Sequence, residues 1–245
     1  MTHALVLAAG LGSRIRHIAG GLPKPLMPFG NSTILEHNLA WLAVAGIRDA
    51  WINLHYGADL IRSRIGDGSA YGLRVHYVYE PELLGTAGAL KNFGPAANQS
   101  MLLVYGDNVV RFDLDKLNQA HERSGAEATV VVYDRHRHLN TGIAGGGVQI
   151  ADDFAITRFV EGPKTARMSS LVNAGVYRLE PSILDLIHPG VSTDFGRDVF
   201  PAMVKQDRKL MAHIMDDAGL CLGLDTPESH AAGQSLLSDN RLVLA

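Results

Sequence analysis

The chain has 245 residues, 47% of them hydrophobic, with 22 basic against 25 acidic side chains and a formal charge of −3. That length suits one α/β domain or two small ones; no charge block, Ser/Gly linker or composition break divides it, so a single domain over 1–245 is expected. The charge argues against the strongly basic face of a nucleic-acid binder, although a small anionic ligand needs only a local cluster. Cys221 is the sole cysteine, which excludes an internal disulfide and a multi-cysteine metal site. With no apolar leader and no run of about twenty apolar residues, no membrane association is expected and the cytoplasm is the default compartment.

Residues 2–9, THALVLAA, read as a buried parallel strand and run into GLGSR at 10–14, followed by PKPLMPFG at 23–30. Glycines without Cβ let backbone N–H groups approach a ligand, and such clusters make anion-binding concavities. Arg14 and Lys24 add a forked and a point-like cation, both suited to phosphate oxygens. A dinucleotide fingerprint would need a third glycine where Ile15 stands, and the hydrolase loop G-x-x-x-x-G-K-[ST] is absent. The stretch reads as a polyphosphate cradle.

Thr33 and Glu36 form a capping-box pattern that opens a helix through Leu35, Leu39 and Leu42, with its stop near Gly46. A strand at 50–55, a helix at 58–65 and a strand at 73–79 continue the alternation of a parallel sheet with helices on its faces. A helix is expected at 85–92, a strand at 101–106, a helix around Leu114 and Leu117, and a buried strand at 128–134. The pattern dissolves between His136 and Gly147. His136 and His138 have no cysteine or carboxylate at ligand spacing and are assigned to a solvated loop. Residues 148–150, 155–160 and 171–179 alternate without long helices between them, which suggests an antiparallel subsheet. Helices at 181–187 and 195–205, a strand at 209–215 and a helix from 226 complete the chain.

Two aspartates are ambiguous from the residues alone. Asp107 follows an apolar strand, where ligands of open α/β sheets bind; it is either a turn residue or a Mg²⁺ ligand, since Mg²⁺ takes one or two carboxylates with waters and phosphates. Asp225, in D-T-P-E, has the pattern of a helix N-cap with Glu228.

LAAGLGSR followed by LPKPLMPFG resembles the signature of the sugar-1-phosphate nucleotidylyltransferases (NDP-sugar pyrophosphorylases). The similarity continues in order through ILEHNL (34–39), LLGTAGAL (83–90), VYGDN (104–108), FVEGP (159–163), LVNAGVY (171–177), DFGRDVFP (194–201) and LDTPES (224–229). LLGTAGAL is most similar to mannose- and heptose-1-phosphate guanylyltransferases. The resemblance implies a Rossmann-like, mostly parallel sheet flanked by helices, with a small antiparallel subsheet for the sugar. Residues 1–134 would mainly bind the NTP and 135–245 the sugar phosphate.

It also implies an enzyme that transfers a nucleotidyl group from an NTP to a sugar 1-phosphate, with Mg²⁺ on Asp107 and Asp225. Arg14, Lys24 and Asp107 would carry the chemistry, with Arg14 on the triphosphate and Lys24 near the α-phosphate. Leu7, Ala9, Gly10, Gly12, Ser13, Glu80, Gly85 and Thr86 match NTP-contacting positions; Gly147, Glu161, Asn173 and Gly175 match sugar-contacting ones. A phosphate monoester with its second pKa near ~6 is already an anion at neutral pH, so no general base is required. Glu80 is either a solvated loop charge or a base-reading carboxylate. A carboxylate only accepts, which suits the paired N1–H and N2–H donors of guanine. The family usually reads Glu-Lys-Pro where this chain has Glu161-Gly162-Pro163, so the missing charge falls to Lys164 or Arg167. Asp194 is expected to cap a helix, and DFGRDVFP to be mostly structural.

The alternatives are the same reaction with UTP, dTTP or CTP, and a catalytically silent nucleotide-sugar-binding subunit, which only Gly162 favours. A glycosyltransferase would want Asp-x-Asp where Asp107-Asn108-Val109 stands. Oligomeric state is open, a homo-oligomer included.

Overall fold

A computed structural model describes residues 3–13, 15, 19–142, 146–161, 169–239 and 242. In chain order the strands are β1 (His3–Leu7), β2 (Pro28–Phe29), β3 (Ser32–Thr33), β4 (Asp49–Leu54), β5 (Arg74–Tyr79), β6 (Met101–Tyr105), β7 (Asn108–Arg111), β8 (Ala128–Asp134), β9 (Leu139–Asn140), β10 (Gly147–Ile150), β11 (Ile156–Val160), β12 (Leu171–Leu179), β13 (Leu210–Ile214) and β14 (Leu220–Gly223). The α-helices are α1 (Ile34–Val44), α2 (Ala58–Ile65), α3 (Gly85–Gly88), α4 (Leu114–Ser124), α5 (Phe200–Lys205) and α6 (Pro227–Ser238).

β1 is unbroken in its hydrophobicity because both its faces are covered. Ala4 and Val6 pack into one core cluster and Leu5 into the other, as successive strand side chains point to opposite faces. β1 lies between β4 and β6, and β5 extends β4, all in parallel. The nine-stranded sheet runs β11-β10-β12-β6-β1-β4-β5, with β8 paired to β12 and β13 to β8. The antiparallel strands β10, β11 and β12 therefore belong to the main sheet, joined through the antiparallel β12–β6 ladder.

α1 starts as its capping box requires: Thr33 Oγ1 accepts from the Glu36 N–H and Glu36 Oε2 from the Thr33 N–H. α2 and β12 occupy their expected residues. Three expected helices differ. Only Gly85–Gly88 of 85–92 is α-helical; a 3-10 stretch follows and is interrupted before Pro95, whose ring nitrogen has no hydrogen to donate. Pro181–Leu186 is also 3-10, and Phe195–Val199 is a π-helical turn leading into α5.

A second sheet, β7-β14-β9, was not anticipated. His138, expected in a solvated loop, is buried. Its Nδ1 accepts from the Asp134 N–H at 2.9 Å, so its Nε2 carries the hydrogen and donates to the Met215 carbonyl at 3.1 Å. His136 remains exposed. Among the described residues no cluster of three metal-ligating side chains occurs, and no helix is long and apolar enough to cross a membrane.

Candidate active site

The second sheet explains how two aspartates far apart in sequence meet. β14 pairs antiparallel with β7, with Gly223 opposite Asn108. Asp107 precedes that register point on one strand and Asp225 follows it on the other, so both emerge at the same end. Lys24, on a 3-10 turn flanked by Pro23 and Pro25, reaches between them. Its Nζ donates to Asp107 Oδ2 at 3.0 Å and to Asp225 Oδ1. The lysine side chain is 4% exposed, Asp225 15% and Asp107 38%. Burial alone would lower the Lys24 pKa, but the two carboxylates outweigh it and hold the ammonium above its ordinary value.

The N-cap reading of Asp225 is corrected: Thr226 caps α6, exchanging hydrogen bonds with Ser229 rather than Glu228. With the capping role filled by Thr226, Asp225 faces Lys24. Two carboxylates converging on one positive charge are a donor set that fits Mg²⁺, a hard cation that completes its shell with waters and substrate phosphates.

A cavity of about 250 Å³ opens beyond the C-terminal ends of β1 and β4. Leu7, Ala9, Gly10, Gly12, Lys24, Glu80, Gly85, Thr86 and Asp107 all line it, as do Ala8, Asn53 and Asp194. Gly12 is left-handed (φ 58°), and a Cβ there would lie 3.3 Å from Lys24 Cβ, so the glycine lets the loop close on the lysine. Ser13 is described but is not among the lining residues; Arg14 lies outside the described residues. Glu80 is buried rather than solvated: Oε1 accepts from Asn53 Nδ2 at 3.0 Å, and Asn53 Oδ1 accepts from the Ala8 N–H at 2.7 Å.

A second cavity, about 110 Å³, adjoins the first through Thr86, Tyr105 and Asp194, and Glu161, Asn173 and Gly175 line it. A bulge in β12 builds its wall. The four steps from Asn173 to Tyr177 face only two on β8, from Val132 to Val130. Gly175 sits in the bulge at φ 73°, its N–H donating to Asn173 Oδ1, and a Cβ there would lie 2.9 Å from Tyr105 Cγ. Asn173 Nδ2 donates to Tyr177 Oη, which donates in turn to Tyr105 Oη. Burial, with Asp194 adding to it, pushes the Tyr105 phenol far up, so it remains a neutral hydrogen-bonding group.

Gly147 does not line either cavity. It is held in the β10 ladder opposite Val160 and Val172, and its neighbour Gly146 is the glycine against the Glu161 carboxylate. Glu161 keeps surface open to water while its carboxyl end is crowded by Gly146 and Gly196. This desolvation, and then the nearby Asp194, raise its pKa; Arg197 opposes them. Asp194 caps as expected, Oδ1 accepting from the Gly196 and Arg197 N–H groups. Gly162, Lys164 and Arg167 lie outside the described residues.

Asn53, Tyr105, Asn108 and Arg197 line the cavities and were not among the expected site residues. Arg197 carried a signal, a cation inside a motif taken as structural. Asn53 sits mid-strand in AWINLH and carried none.

β1, the glycine loop, Lys24 and Asp107 thus line one cavity of an α/β protein, and Glu161, Asn173 and Arg197 line a second that adjoins it. Residues 3–223 match the profile of the family described as "Nucleotidyl transferase", and the chain belongs to that family. It is 30% identical to a UTP–glucose-1-phosphate uridylyltransferase of Synechocystis (96% of this chain, 63% of that protein). It is 33% identical to a mannose-1-phosphate guanyltransferase of Schizosaccharomyces pombe (95% and 63%) and 31% identical to a mannose-1-phosphate guanylyltransferase catalytic subunit beta of Drosophila pseudoobscura (96% and 62%). The chain thus spans less than two thirds of the length of these relatives. In fold it matches HddC from Yersinia pseudotuberculosis, solved alone and complexed with GMP-PN, with a TM-score of 0.78 at 22% identity over 97% of this chain and 100% of that one.

Proposed function

We propose that the protein transfers a guanylyl group from GTP to a sugar 1-phosphate of the mannose or heptose type. A phosphate oxygen of the sugar 1-phosphate attacks the α-phosphorus of GTP, the bond to the β-phosphate oxygen breaks, and pyrophosphate leaves. The observation that carries this reading is Lys24, held between Asp107 and Asp225, which with Asp107 lines a cavity that adjoins a second one. Two anions must be kept in line there while charge builds at the α-phosphate, a task for positioned cations and not for a general base. Mg²⁺ on Asp107 and Asp225 would neutralise triphosphate charge and leave Lys24 to bind phosphate oxygens.

Gly10 and Gly12 line the nucleotide side with backbone, and Arg14 belongs with them on the triphosphate. Glu80 offers an acceptor to the base. On the other side Glu161 and Asn173 meet the sugar hydroxyls, beside Gly175. Arg197, in the same cavity, supplies a cation that Gly162 cannot, whether or not Lys164 or Arg167 adds another. The uridylyl- and guanylyltransferases among the relatives support the reaction class, and the lone buried Cys221 fits a reducing compartment, the cytoplasm.

The test is a grid of ATP, GTP, CTP, UTP and dTTP against several sugar 1-phosphates with Mg²⁺, read by pyrophosphate release. GTP turnover with a manno-configured acceptor is expected. Turnover with UTP or dTTP in its place would overturn the base assignment, and no release from any pair would overturn the reaction.

A further inference from the structure

Asn53, Glu80 and Ala8 are neighbours across three parallel strands: Asn53 is in β4, Glu80 directly follows β5, and Ala8 directly follows β1. The Ala8 N–H can only donate, so the Asn53 atom it meets at 2.7 Å is the carbonyl oxygen Oδ1. That fixes the carboxamide and turns its NH₂ toward Glu80, where Nδ2 donates to Oε1 at 3.0 Å. Glu80 Oε2 has no hydrogen-bond partner among the described residues, is not among the sealed, unsatisfied atoms, and belongs to a cavity-lining residue. It is the acceptor left to a ligand.

We propose that Asn53 is a positioning residue that sets the hydrogen-bond polarity of position 80 and, through it, the choice of nucleobase. This rests on the reading of the first cavity as the nucleotide site. A backbone donor orients the asparagine, the asparagine always presents a donor to residue 80, and residue 80 must answer with an acceptor. A carboxylate has a second acceptor for the ligand and matches guanine's N1–H and N2–H. A carboxamide at 80 would spend its oxygen on Asn53 and present its NH₂ to the cavity, which repels those donors. Exchanging the two groups, with aspartate at 53 and glutamine at 80, keeps the charge and nearly the same atoms. The aspartate accepts from Ala8 and from the glutamine NH₂, and the glutamine oxygen returns to the cavity.

The experiment compares wild type, E80Q and N53D/E80Q by kcat/KM for GTP and UTP at saturating sugar 1-phosphate. Calorimetric binding of each nucleotide provides a second readout, and circular dichroism confirms folding. In E80Q the GTP:UTP ratio is expected to fall by about 10²-fold, the discrimination of one well-placed pair of hydrogen bonds to a base edge. In N53D/E80Q it is expected to return to within about tenfold of wild type, since only the amide polarity has been exchanged. An E80Q ratio unchanged from wild type means the glutamine flips freely and overturns the proposal. So does a folded double variant that keeps the E80Q ratio. If the double variant does not fold, N53A/E80Q replaces it: without the Asn53 donor, the glutamine is free to turn its oxygen to the cavity and the ratio is expected to recover, and a ratio unchanged from E80Q overturns the proposal. A wild type that prefers UTP refutes the guanine assignment separately; reversal in E80Q and restoration in the double variant would still decide the role of Asn53.

Discussion

Lys24→Met removes the ammonium and keeps an apolar stem, leaving Asp107 and Asp225 facing one another. A hydrogen bond to a charged group contributes about 1.5–3 kcal/mol net. Asp107 is 38% exposed and recovers much of its share from water, whereas Asp225, at 15%, recovers little. The loss should therefore be about 2–3 kcal/mol, most of it at Asp225. For a domain of this size that lowers Tm by about 4–12 °C. Urea unfolding at neutral pH, with the slope m unchanged, measures it directly. Millimolar Mn²⁺ without nucleotide should then restore much of the loss, because at 100 times its Kd a ligand stabilises by ~2.7 kcal/mol. Wild type should respond weakly, its two carboxylates being already engaged by Lys24. A variant within about 0.5 kcal/mol of wild type, the ordinary range of a surface substitution, would refute the shared-cation reasoning. So would equal stabilisation of both proteins by Mn²⁺.

Gly175→Ala would place a Cβ 2.9 Å from Tyr105 Cγ at a φ of 73°. It should destabilise by about 2 kcal/mol or more and raise KM for the sugar 1-phosphate more than for the nucleotide. Calorimetry and steady-state kinetics check the two halves, and a silent substitution would mean that the bulge does not shape the acceptor pocket. The Glu161 pKa is raised by desolvation and by Asp194, so its contribution to stability is full below the unfolded value of 4.5 and is lost as pH rises through the folded value. Glu161→Gln should accordingly match wild type in acid and exceed it in stability at pH 7, while weakening use of the sugar 1-phosphate. Equal melting temperatures of the two proteins from pH 4 to pH 7 would contradict the shift.

Local signals were legible because local physics writes them. The unbroken apolar run of β1 and the Thr33–Glu36 box of α1 each reflect one element's own hydrogen bonds and burial. Lys24, Asp107 and Asp225 could each be named from the motifs, but what brings the two aspartates together is the β7–β14 register, a pairing across more than a hundred residues that no local pattern encodes. The same holds for Asn53, whose importance comes from a backbone N–H on one neighbouring strand and a carboxylate on the other. Gly147 and Gly146 differ by one position, and strand alternation decides which meets Glu161; a run of three glycines hides that register. His138 looked solvated because RHRH is polar, yet two backbone groups satisfy both ring nitrogens and make its burial tolerable.

The most direct measurement is a structure of the protein soaked with a non-hydrolysable GTP analogue and Mn²⁺. The triphosphate is expected along Gly10 and Gly12 within reach of Lys24, Mn²⁺ on Asp107 and Asp225, and the guanine against Glu80. Phosphates bound away from that loop, or a metal that leaves both aspartates untouched, would contradict it.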